Sequence, residues 1–221
     1  MKERPILFSS PMVRAILDGR KTQTRRIVKP QPTGDPKFDR IADGEAVFIE
    51  SIASGADFFT FRKVPYQAGD HLWVRETWME TCDHETLKRT GTLLYRATHE
   101  GREPIKVDGD GFQEWTSTGR AASPWRPSIH MPRWASRLTL LVKSVRVERL
   151  QEISEEDAMA EGIQYPPMYA DEPVRSEDYA RKAFRYLWES INGEGSWDAN
   201  PYVWVIEFEK VPATEPGNVT P

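Results

Sequence analysis

Cysteine is all but missing from this chain. Cys82 is the single one in 221 residues, which rules out an intramolecular disulfide and fits a reducing compartment. No apolar run is long enough to cross a membrane, and the run within MKERPILFSS is too short for a secretory signal, so a cytoplasmic protein is expected. Positive charge is not in surplus: the formal net charge of −4 argues against a non-specific coat for nucleic acid. His71, His84, His99 and His130 are scattered without helical or finger spacing. Cys82-Asp83-His84-Glu85 sets ligand types too close together to hold one ion well, so neither a metal nor a cofactor is expected. The sequence also lacks a glycine-rich phosphate loop, a dinucleotide fingerprint and any internal repeat.

What the chain does have is proline and tryptophan, 17 and 8 residues, which point to a compact, loop-rich body rather than a helical bundle. A hydrophobic content of 38% suffices for one sizeable domain, expected over residues 1–212 with a frayed tail at 213–221. Charge is unevenly spread. Up to Arg40 there are ten Lys/Arg against four Asp/Glu, so a local positive patch is compatible with the acidic total.

The most informative stretch is SPMVRAILDGRKTQTRR, Ser10 to Arg26. Ser10 suits an N-cap, Pro11 the first helical position, and Gly19 the left-handed residue that ends a helix. Val13, Ile16 and Leu17 recur at helical spacing between them. Directly past Gly19 come Lys21, Thr22, Thr24, Arg25 and Arg26. Two readings stand side by side. In one, these are solvated cations complementing the negative end of a helix dipole; in the other, they form a site for an anionic or polar ligand.

Elsewhere the patterns are local. PILFS (Pro5–Ser9) reads as a strand, and GEAVFIESI and DFFTFRKV as a hairpin. HLWVRETW, after the Ala68-Gly69-Asp70 turn, alternates with Leu72 and Val74 on one face and Trp73, Arg75 and Thr77 on the other. LLYRA (93–97) is a short strand, and Arg137 to Leu150 one long strand or two with a bulge. Ser154 and Asp157 make a capping box for a short helix that Gly162 closes, with Glu161 at its negative end. Ser176 is expected to cap a third helix, whose Tyr179, Ala180, Ala183, Phe184, Leu187, Trp188 and Ile191 form a stripe for core packing. PYVWVIEFEKV is the closing strand. The segment SPWRPSIHMPRW offers Trp125, Arg126, His130, Arg133 and Trp134 as planar faces and donors for a base, or as cover for the end of a barrel.

Strand, helix and then G-R-K-T-x-T-x-R together resemble the ASCH family, small barrels related to the PUA RNA-binding fold. Gly19, Lys21 and Arg26 fit the family signature, while Thr24 stands in the neighbourhood where many members carry Glu. Thr there is the form of the bacterial ASCH amidohydrolases that deacylate N4-acetylcytidine, whose catalytic set is a Lys, a Thr three residues later and a distant Glu. The resemblance extends to the GD-x-L-x-V strand (Gly69, Asp70, Leu72, Val74) and covers roughly residues 5–28, 68–78, 137–163 and 201–210, under half of the chain. The long form with SPMVRAILDGRKTQTRR looks similar to small proteins common in phages and prophages.

The resemblance implies an α+β fold, a PUA-like, mainly antiparallel β-barrel with two or three packed helices and insertions near 29–67, 81–136 and 164–199. It implies Lys21 and Thr24 as catalytic residues and Glu161 as the carboxylate, with Glu155 and Glu156 as alternatives. Thr24 would attack the acyl carbon with Lys21 as base and Glu161 serving water or the leaving nitrogen. Arg20, Arg25, Arg26 and burial would lower the Lys21 pKa, whereas a pairing with Glu161 would raise it. Arg26, Trp73, Trp78, Trp125 and Arg133 are the candidate substrate-binding residues for a nucleoside. Two other readings use the same cleft: an RNA or modified-nucleotide binding module without turnover, and a ribonuclease in which Lys21 and Arg26 hold a phosphate. A steep salt dependence of RNA binding would mark phosphate contacts and set these apart from a nucleoside pocket.

Overall fold

The computed structural model describes residues 1–33, 36–51, 57–82, 89–99, 114–115, 121–122, 125–164 and 178–212. The elements are β1 (Glu3–Leu7), α1 (Ser10–Leu17), β2 (Gln23–Ile27), β3 (Lys37–Ala42), β4 (Glu45–Ser51), β5 (Asp57–Lys63), β6 (His71–Arg75), β7 (Trp78–Cys82), β8 (Arg89–Tyr95), β9 (Glu114–Trp115), β10 (Ala121–Ala122), β11 (Thr139–Arg149), α2 (Glu155–Ala160), α3 (Tyr179–Asn192) and β12 (Tyr202–Lys210). The fold is α+β and strand-rich, as expected from the sequence. Among the described residues its three sheets are open, and none closes into the expected barrel.

The chain divides into two compact units. The first holds residues 1–2, 18–71 and 141–210. Its central sheet runs β11-β12-β2, and β3-β4-β5 form a separate antiparallel sheet whose β4–β5 pair is the expected hairpin. β12 lies antiparallel to β2 with Val203, Val205 and Glu207 opposite Ile27, Arg25 and Gln23. Those residues share one face of the pleat, and Trp204, Ile206, Arg26 and Thr24 share the other.

The first of these faces carries the helices. Leu150, Ile153, Ala158, Ala180, Phe184, Trp188, Trp197, Val203 and Val205 make one buried cluster. Each large apolar side chain so buried contributes about 1.5–3 kcal/mol. On the opposite face Tyr202 meets Phe48 of β4 edge-on at 5.0 Å, and its hydroxyl donates to Pro36 O at 2.7 Å. The α3 stripe packs as expected through Ala180, Phe184 and Trp188, whereas Ile191 is 57% exposed because it lies in the last turn, beyond the cluster. The expected cap Ser176 lies outside the described residues.

The second unit holds residues 3–17 and 72–140, with the chain end from 211. Here β1, β6 and the start of β11 are successive strands, and β8-β7-β10-β9 form a further sheet. β6 alternates as its sequence indicates, with Leu72 and Val74 buried. α1 begins one residue before the position the sequence suggests: Val13 N–H donates to Ser9 O at 2.9 Å, so Ser9 holds the capping position and Ser10 opens the helix.

Candidate active site

Three local features in the first unit converge. Gly19 adopts φ +75°, which a side chain would strain, and turns the chain from α1 toward β2. The turn is tied to α2 by Thr22 N–H donating to Ala160 O at 2.9 Å and by the Arg20 guanidinium donating to Gly162 O at 3.2 Å. α2 is itself fixed at both ends. Ser154 Oγ accepts from Asp157 N–H at 3.0 Å, and Gly162 takes φ +96° after Glu161. Asp157 and Glu161, four residues apart, therefore leave the same side of α2.

Between these elements Lys21 is 2% exposed. Its Nζ donates to Glu161 Oε2 at 2.7 Å, to Glu161 O at 2.8 Å and to Gln23 O at 2.8 Å, three oxygens for the three protons of an ammonium. The last contact sets Nζ against the peptide that joins Gln23 to Thr24. The misplaced charge noted at the negative end of α2 is thus matched by a lysine 140 residues away in sequence. Burial lowers the pKa of Lys21; Glu161 opposes this, and Arg26 and Arg25 add to it. Of the opposing effects expected from sequence, burial wins.

Arg25 extends the pair into a cluster. One of its terminal nitrogens donates to Asp157 Oδ2 at 2.7 Å and Glu148 Oε2 at 3.0 Å, and the other reaches Glu161 Oε1 at 3.4 Å. Arg146 bridges Asp157, Glu148 and Glu207. Sequence reasoning did not single out Arg25, Asp157, Glu148 or Arg146 as a group. The available signal was Arg146 and Glu148 at two-residue spacing, opposite charges on one face of a strand otherwise rich in valine and leucine. Burial alone would raise the Asp157 pKa, but the hydrogen bond and charge of Arg25, with Arg146 behind it, hold it below the ordinary aspartate value. The folded state therefore binds this proton less readily than the unfolded chain. Its contribution to stability is present above an unfolded value of about 3.9 and is lost as pH falls through the lower folded value. Denaturation melts at decreasing pH should show Asp157→Asn losing less stability on acidification than wild type; parallel acid profiles would refute the assignment.

Thr24 is 3% exposed and points from β2 to the face opposite Arg25, alongside Arg26. Arg26 is half-buried, and burial lowers its pKa against the charges of Tyr66 and Glu161. Lys21, Thr24, Arg26 and Glu161 thus all belong to the first unit. Of the alternatives to Glu161, Glu155 accepts from the backbone N–H groups of Ala180 and Arg181 at 2.6 and 3.1 Å, which caps the start of α3.

The remaining candidates belong to the second unit. Trp78 is 1% exposed, packs with Met131 and Ala135, and has the Arg126 guanidinium 4.9 Å from its ring centre. Trp125 is half-buried, with His99 edge-on at 5.4 Å and Arg96 at 5.3 Å. Trp73 is half-buried beside Arg75, and Arg133 pairs with Glu3 at 3.1 Å. Among the described residues no group of three or more His, Cys, Asp or Glu side chains could hold a metal ion. Asp83, His84 and Glu85 lie outside them. Among the described residues no helix is long and apolar enough to cross a membrane.

No family model, no curated protein and no solved structure matches the chain.

Proposed function

We propose that the protein is an amidohydrolase that cleaves the acyl amide of N4-acylated cytidines or related small amides, acting in the cytoplasm on a free nucleoside. The observation that carries this reading is the buried Lys21–Glu161 contact at 2.7 Å, set against the peptide bond that leads into Thr24. It joins, across 140 residues, the Lys and the Glu that the resemblance to the ASCH amidohydrolases pairs, three residues before the Thr that completes their set. The same reading takes the fold as PUA-like, supported by the order strand, helix, Lys-Thr motif, GD strand, long strand and capped short helix.

In this scheme the Lys21 ammonium, whose pKa burial lowers, first hands one proton to Glu161, and the amine so formed takes the proton of the Thr24 hydroxyl as it attacks the acyl carbon. Arg26 faces the oxygen that becomes negative. The proton passes by way of Lys21 and Glu161 to the departing exocyclic nitrogen, leaving an acyl ester on Thr24 and free cytidine. Water then hydrolyses the ester, returning the threonine hydroxyl and releasing the carboxylic acid. Because Thr24 is 3% exposed, small acyl groups are favoured.

The test is a spectrophotometric assay with N4-acetylcytidine and bulkier N4-acyl cytidines. Turnover that is fastest for acetyl and disappears in a folded Thr24→Ala variant is the expected result. Turnover by Thr24→Ala near the wild-type rate would remove the nucleophile, and no turnover on any acyl cytidine would remove the function.

A further inference from the structure

One face of the sheet β3-β4-β5 leaves two phenylalanine rings in solvent: Phe59 is 56% exposed and Phe61 54%. They are two residues apart on β5, so both project to the same side, about 7 Å from each other along the strand. The registers say what lies beside them. Phe59 stands opposite Ile49, which stands opposite Lys37; Phe61 stands opposite Val47, which stands opposite Arg40. Two neighbouring rows across the sheet therefore run in the same order, from ring to aliphatic side chain to cation. We infer that this face binds single-stranded nucleic acid, with two successive bases stacked on Phe59 and Phe61 and the phosphates running along β3.

The cation row depends on an irregularity. The β3–β4 register shifts between Phe38 and Arg40, which brings Lys37 and Arg40, three residues apart, opposite Ile49 and Val47, two residues apart. Without the shift, Asp39 would stand opposite Val47, and the row would alternate base and acid. Asp39 instead pairs with one terminal nitrogen of Arg40, whose side chain stays 62% exposed, and Lys37 is exposed as well. Between the rings and the cations, Val47 at 3% exposure makes a low floor. The two outer strands are about 10 Å apart across it, two steps between neighbouring strands.

A nucleotide has the matching layout: a base that is flat and apolar on its faces, a sugar, and a phosphate on the far side of it. The bases of a duplex are stacked on one another and present only their edges, whereas an unpaired strand can lay its bases on aromatic side chains. Such stacking tolerates any sequence, since every base has a π-face, and cations beside it track the backbone. The ends of the face are acidic or balanced: Asp57 lies at one, and Glu45 opposite Lys63 at the other. Positive charge is thus confined to the β3 side of the two middle rows, where it suits a single file of phosphates better than a layer of lipid headgroups. None of this depends on the proposed chemistry at Lys21 and Thr24.

Fluorescence anisotropy of the full chain with labelled oligo-dT and oligo-U, each about ten nucleotides long, should give Kd of about 10⁻⁶–10⁻⁴ M for both. A duplex of the same length should bind about tenfold more weakly or worse. The logarithm of the affinity should fall with that of the salt concentration at a slope of about −1.4, two phosphate contacts at about −0.7 each. Lys37→Gln should halve that slope. Phe59→Ala and Phe61→Ala should each weaken binding about tenfold with an unchanged circular dichroism spectrum. Phe58→Ala, 51% exposed on the other side of the same strand, should bind as the wild type does. So should Thr24→Ala, which keeps a failure here separate from a failure of the amidohydrolase reading. No binding of either strand up to about 10⁻³ M overturns the proposal. So does a duplex bound as tightly as the single strands, or phenylalanine variants that bind like wild type. Adsorption to phosphatidylglycerol vesicles that these variants lose, with no binding of oligonucleotides, would overturn it in favour of a lipid surface.

Discussion

Glu161→Ala is expected to cost about 3–5 kcal/mol of folding stability, the usual penalty for leaving one charge of a buried pair without the other. Domains of this size are stable by about 5–15 kcal/mol, so the variant should sit close to the unfolding threshold at ordinary temperatures. The size follows from burial: the Lys21 and Glu161 side chains are 0% and 4% exposed, so water cannot take over the charge that is left behind. Lys21→Ala should cost a similar amount. Lys21→Met with Glu161→Leu should cost clearly less than the sum, because both charges leave together. It should not reach zero, since Gln23 O and Glu161 O each lose the donor that Lys21 supplies, at about 1–3 kcal/mol for a buried group left unsatisfied. Urea denaturation of the four proteins gives the coupling energy directly. Additive single-variant costs would mean that the pair is not coupled, and a Glu161→Ala variant within about 1 kcal/mol of wild type would contradict its burial as a charge pair. The consequence for function is practical. Loss of activity in Lys21→Ala or Glu161→Ala cannot by itself distinguish chemistry from folding, and Thr24 is the position whose substitution reads the chemistry.

The second large effect is expected at Arg25. Arg25→Met removes the one guanidinium that touches Glu148, Asp157 and Glu161 together, leaving Arg146 on the first two and Lys21 on the third. A loss of about 1.5–3 kcal/mol near neutral pH is expected for the charged hydrogen bonds removed, shrinking in acid as Asp157, which Arg25 holds below the ordinary aspartate value, takes up its proton. Arg25→Lys should recover only part of it. A point ammonium cannot span the reach from Glu161 on one terminal nitrogen to Glu148 and Asp157 on the other. Denaturation midpoints at pH 7 and at about pH 3.5, below the ordinary aspartate value, check both statements. A lysine variant as stable as wild type would show that charge alone, and not the planar fork, is what the cluster requires. On the proposed amidohydrolase reading, the loss of Arg25, which also touches the carboxylate that Lys21 holds, should lower turnover with acyl cytidines in whatever fraction stays folded.

Much of the local structure was legible. The Ser154–Asp157 cap and the left-handed Gly19 and Gly162 involve residues at most a few positions apart, where the side chain and the backbone group it satisfies come from the same stretch of sequence. The β6 alternation and the continuous β11 strand follow from a period of two in apolar residues. Less legible were the errors at the ends: the start of α1 shifted by one residue because Ser9 and Ser10 are both good caps, and only the Val13 hydrogen bond chooses between them. Ile191 fits the helical period but emerges into solvent, since periodicity does not say where a helix outruns its partner.

The sequence by itself determined the elements that depend on near neighbours: caps, turns, strand alternation and the order of the motifs. Tertiary structure alone decided that Lys21 meets Glu161 across 140 residues, that Arg25 and Arg146 together neutralise Asp157 and Glu148, and that among the described residues β5 is the outer strand of its sheet. The physical reason is that a capping bond is set by local backbone geometry. The partner of a buried charge and the neighbour of a strand are set instead by which distant segments the apolar core brings within about 3 Å of each other, a distance no spacing along the chain encodes.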